Sequence, residues 1–83
     1  MTVTFDVKNV RKHTRKDGNS VPRAILSDPE GTVERFFHFD CKSGEEEHFE
    51  SLKGKQTRIE IHNIDTNYSD TVSIAGKLIH SKS

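Results

Sequence analysis

The chain has 83 residues, 30% of them hydrophobic and 31% charged, which suits one domain with one small core and leaves no room for a second. A single cysteine, Cys41, excludes an internal disulfide, and no apolar run exceeds three residues, so the expected setting is reducing and cytoplasmic, without a secretion signal or a membrane span. The net charge of zero hides a dipole: Lys8 to Arg23 carries six basic residues against Asp17, whereas Asp28 to Glu50 carries eight acids against Arg35 and Lys42.

Thr2 to Val10 alternates, with Val3, Phe5 and Val7 on one face and Thr4, Asp6 and Lys8 on the other, the pattern of a half-buried strand. Arg11 to Ser20 has no apolar residue and contains Asp17-Gly18-Asn19, which reads as an extended hairpin loop. Val21 to Ser27 is the second strand, with Pro22 at its start or at an unpaired edge position. Asp28-Pro29-Glu30-Gly31 is a strong turn signal, and it predicts a tight hairpin into a third strand from Thr32 to Asp40. Ser43 followed by Glu46 fits a capping box, and Phe49 and Leu52 share one face before Gly54, so a helix of about ten residues is expected there. Gln56 to Ile64 alternates again, with Ile59 and Ile61 inward. A polar connection from Asp65 to Asp70 contains Tyr68. Thr71 to Ile79 is the last strand, where Gly76 permits a bend or bulge, and residues 80–83 form a frayed tail.

The order is three strands, a short helix and two strands in a single domain over residues 1–83, a mainly β fold. In this order the chain resembles the OB-fold, a small five-stranded barrel in which a helix between strands three and four covers one end. Leu52-Lys53-Gly54-Lys55 running into Arg58-Ile59-Glu60-Ile61 is similar to the helix-to-strand entry of such proteins, although the first strand lacks a bending glycine. An SH3-like barrel and an open meander with the helix laid across it are the rival architectures.

The third strand is the most informative for function. Its odd positions, Val33, Phe37 and Phe39, supply core, whereas Phe36 and His38 fall on the other parity, beside each other. Phe36 is either on the outer face or drawn into the core by a β-bulge, as Arg35 on the core parity also suggests. The parity of the second strand is open too, and one of its two settings turns Arg23 outward, near Phe36. An exposed ring stacks on any base, while lysine and arginine follow phosphates. The OB resemblance implies a single-stranded DNA or RNA site on strands two and three and the loops beside them. Its candidate residues are Arg23, Phe36 and His38 on the face, Arg11, Lys12, Arg15 and Lys16 in the first loop, and Tyr68 in the later one. Set against this, cations in a polar hairpin are commonly just solvated, and Tyr68 can simply cover the barrel end.

Catalytic signals are weak. The five histidines show no metal-ligand spacing, there is no phosphate-binding glycine loop, and Cys41 has acids rather than a base around it in sequence. No cofactor and no enzymatic activity are expected. The competing function is a non-catalytic interaction module, an accessory or inhibitor protein docking on a larger enzyme, and the small core allows a monomer or a homodimer.

Overall fold

The computed structural model describes residues 1–67 and 70–79, so Tyr68 and the expected frayed tail 80–83 lie outside the described residues. Five strands and one helix follow in the order β1 (Thr2–Thr14), β2 (Ser20–Ser27), β3 (Phe36–Asp40), α1 (Glu45–Ser51), β4 (Gln56–Asp65) and β5 (Thr71–Ile79). The strands form one sheet in the order β1-β2-β3-β5-β4, which closes on itself because β1 also pairs with β4. All neighbours are antiparallel except β3 and β5, which run parallel. Among the described residues no helix is long and apolar enough to cross a membrane.

β1 makes this closure by serving two partners. Thr2 to Asp6 pair with β4, and Asp6 to Thr14 pair with β2. The change of direction falls at a register shift between Val7 and Asn9, where Lys8 is the extra residue. A bulge sharpens local twist, so the strand bends here without a glycine. β5 has its glycine where β4 bulges between Ile61 and Asn63. A Cβ on Gly76 would lie 1.9 Å from the Glu60 carbonyl oxygen, so the two backbones meet there as only glycine allows.

The core gathers Phe5, Val7, Ala24, Leu26, Phe39, Phe49, Ile59, Val72, Ile74 and Leu78, with Cys41 beside them. Each large side chain withdrawn fully from water contributes roughly 1.5–3 kcal/mol. Phe49 brings α1 onto this core, its ring tilted against Phe39 at a centroid distance of 5.6 Å. The helix exit is stitched to β1, because Gly54 donates its N–H to Val7 at 2.9 Å and Val7 donates to Lys55 at 2.8 Å.

Three expectations from sequence are corrected. Arg11 to Thr14 belong to β1 rather than to a loop: Arg11 pairs with Arg23, Lys12 with Pro22, His13 with Val21 and Thr14 with Ser20. The turn is only Arg15 to Asn19, closed by Arg15 donating to the Asn19 carbonyl at 2.8 Å. Ladder hydrogen bonds need no apolar side chain, so a polar arm extends the strand beyond its half-buried part.

The third strand starts at Phe36, not Thr32, so no tight hairpin forms. The turn itself is present, Gly31 donating to the Asp28 carbonyl at 3.1 Å. The Asp28 carboxylate then captures the amides of Glu30, Thr32 and Val33 and the Thr32 hydroxyl. Those bonds, Thr32's hydroxyl foremost, hold the Asp28 carboxyl below its ordinary pKa. Amides spent on Asp28 do not pair with β2. Val33 therefore leaves the core and is 41% exposed.

The capping box at Ser43 is absent. Gly44 occupies the cap in the left-handed region at φ 84°, with no side-chain cap bond, and Ser43 lies one residue outside. Glu45 instead accepts the Lys42 N–H at 2.6 Å. The helix is correspondingly seven residues long rather than about ten. Of the two settings left open for Phe36, the bulged one is not taken, because β3 pairs with β2 and β5 in continuous register.

Candidate functional site

Alternation in β2 settles which side chains face outward. Ala24 and Leu26 are wholly buried, so Arg23 and Ile25 take the opposite face of the strand. The ladders then line up residues across four strands. One row runs Arg11, Arg23 and Asp40; the next runs Asn9, Ile25, His38 and Ser73; Phe36 pairs with Thr71 at the margin. Phe36 is 47% exposed, a large ring in water on the outer face rather than in the core. An open groove of about 410 Å³ crosses these rows, lined by Lys8, Arg11, Lys12, Arg23, Phe36 and His38 together with Asn9, His13 and Ile25.

Its electrostatics are uneven. Arg23 donates from Nε to Asp40 at 2.9 Å, and Arg15 approaches the same carboxylate at 3.7 Å. Lys8, Arg11 and Lys12 form no ion pair among the described residues. Arg11 stands directly opposite Arg23, and like charges in that position repel. The groove therefore holds uncompensated positive charge beside an exposed aromatic face.

Arg23 also donates from Nη1 to His38 Nδ1 at 3.3 Å. Guanidinium has no acceptor, so Nδ1 must offer its lone pair and the ring proton sits on Nε2. Burial, then the Arg23 charge, holds the pKa of His38 below the ordinary 6.5; His13 adds to this and Asp40 opposes it. The imidazole is neutral at pH 7.

Five of the eight residues expected from sequence, Arg11, Lys12, Arg23, Phe36 and His38, thus line one groove, Lys12 from the opposite strand parity to Arg11. Arg15 is drawn away, into a separate cleft of about 420 Å³ shared with Val21, Asp40, Cys41, Asn63 and Asp65. Lys16 lies in the exposed turn and lines neither. Tyr68 lies outside the described residues. Lys8, Asn9, His13, Ile25, Thr71 and Ser73 were missed. His13 was legible in principle, since it shares the parity of Arg11, whereas Thr71 and Ser73 enter only through the β3–β5 pairing, which no local pattern encodes.

Cys41 is buried, and burial followed by the Glu45 charge pushes its thiol up to about 11. At neutral pH it carries no appreciable thiolate and is a poor nucleophile. Among the described residues no three His, Cys, Asp or Glu side chains gather as a metal site. Comparison with models of known families, with curated proteins and with solved structures gave no match.

Proposed function

We propose that this chain is a small, non-catalytic OB-like protein that binds single-stranded nucleic acid across the outer face of β1, β2 and β3. The observation that carries the reading is the groove in which Phe36, 47% exposed, adjoins Lys8, Arg11 and Lys12, cations without a carboxylate partner among the described residues. Stacking on such a ring accepts any base, and the neighbouring cations follow the phosphates. The OB-like architecture is supported by the ring order β1-β2-β3-β5-β4 and by α1 lying between β3 and β4 in the chain. Phe36 and Arg23 then fall on the strands that OB-folds use for oligonucleotides.

The test is titration of a fluorescent single-stranded oligonucleotide at low and moderate salt. Phe36→Ala weakens binding by about 1–3 kcal/mol, the value of one stacked base, and leaves the melting temperature nearly unchanged because the ring is exposed. Absence of binding at low salt ends this reading. It would favour the second one, an interaction module docking on a larger enzyme, for which the exposed acids Glu47 and Glu50 of α1 offer a surface to a basic partner.

A further inference from the structure

Beside the groove lies a smaller cleft of about 270 Å³ lined by His13, Arg23, His38, Thr71 and Ser73. It shares His13, Arg23 and His38 with the groove, so a strand crossing one borders the other. Its lining holds one guanidinium, two imidazoles and two hydroxyls, with no carboxylate. Asp40 engages Arg23 through Nε and leaves part of the guanidinium fork for another acceptor.

The contact between Arg23 Nη1 and His38 Nδ1 fixes what the empty cleft tolerates. Protonating Nδ1 would remove the acceptor and leave two cations face to face. The groups around His38 are His13 from β1, Arg23 from β2 and Asp40 on its own strand, while Ser73 from β5 brings no charge. An anion seated between guanidinium and imidazolium reverses that balance, because it accepts from both and offsets their repulsion.

We infer that this cleft is a phosphate subsite, resting on the nucleic-acid reading above, in which a phosphodiester is held by Arg23, Thr71, Ser73 and an imidazolium at His38, so that docking takes up one proton. Linkage then requires affinity to rise as pH falls, by up to about tenfold per pH unit for one proton.

The experiment measures binding of oligothymidylate, whose bases do not titrate in this range, between about pH 7.5 and about pH 5.5 at fixed ionic strength, spanning the ordinary histidine value. Wild-type affinity rises toward acid; His38→Gln loses that slope whatever its affinity at the upper pH; His62→Gln, outside groove and cleft, keeps it. In parallel, NMR titration of the imidazoles with inorganic phosphate raises the pKa of His38. Circular dichroism verifies that the variants are folded. A flat wild-type profile, a slope that survives His38→Gln, or one that disappears with His62→Gln instead overturns the subsite while nucleic-acid binding stands. If oligothymidylate fails to bind at any pH, the nucleic-acid reading falls. The phosphate titration then decides the subsite alone: a raised His38 pKa supports it, and an unmoved one overturns it.

Discussion

At Gly76 a hydrogen atom occupies space that a methyl group would contest with main chain, since the Glu60 carbonyl oxygen stands 1.9 Å from where a Cβ would be. Backbone on both sides cannot swing away like a flexible side chain, so Gly76→Ala should force β4 and β5 apart. The expected cost is about 1–3 kcal/mol, lowering the melting temperature by roughly 4–8 °C per kcal/mol in a domain of this size. Thermal denaturation by circular dichroism reads it directly. His38 gives a second prediction at this scale. Its pKa is lowered in the folded protein, so the unfolded chain takes up the proton first as pH drops. The stability tied to its neutral form is complete above about pH 6.5 and is lost as pH falls through the lower folded value. Urea melts of wild type and His38→Gln should therefore converge on acidification, with the narrowing of the difference between them confined to that window.

Among the elements, α1 shows where local sequence and tertiary packing part company. Ser43 and Glu46 have the capping-box spacing, yet the cap is Gly44, and what holds the helix is Phe49 under the ring of β-strands. Ser43→Ala should therefore stay within about 0.5 kcal/mol of wild type. Phe49→Ala removes a ring with no exposed surface and should cost about 3–5 kcal/mol in urea denaturation. The same division explains what the sequence disclosed. Strict alternation made β5 readable from Thr71 to Ile79, and it identified Phe5, Val7, Ile59 and Val72 as core. It was silent where pairing is polar, as in Arg11 to Thr14, and misleading at Val33, whose amide is taken by Asp28. The outward setting of Arg23 was one of two open choices, resolved only by the burial of Ala24 and Leu26. Phe36, Arg23 and His38 were thus legible as residues, but their meeting is a property of the β1–β2–β3 register.

For the whole molecule, a net charge of zero argues against strong long-range attraction of a polyanion, so affinity must come from a few cations acting locally. The fold sorts those cations. Lys8, Arg11 and Lys12 line the groove without ion pairs among the described residues, Arg23 lines it but is bound to Asp40, and Arg15 turns to Asp40 in another cleft. Each neutralised phosphate on a single strand contributes about −0.7 to the slope of log K against log salt. Three or four contacts therefore predict a slope of about −2 to −3, whereas all six basic residues between Lys8 and Arg23 would give about −4. Replacing Arg11 and Lys12 together by glutamate should cut binding at low salt and flatten the slope by more than about 1. Replacing Arg15 and Lys16 in the same way should change it far less, since neither lines the groove. Fluorescence anisotropy across a salt series separates the two pairs, and an equal loss for both would mean that the strand follows the hairpin turn rather than the face bearing Phe36.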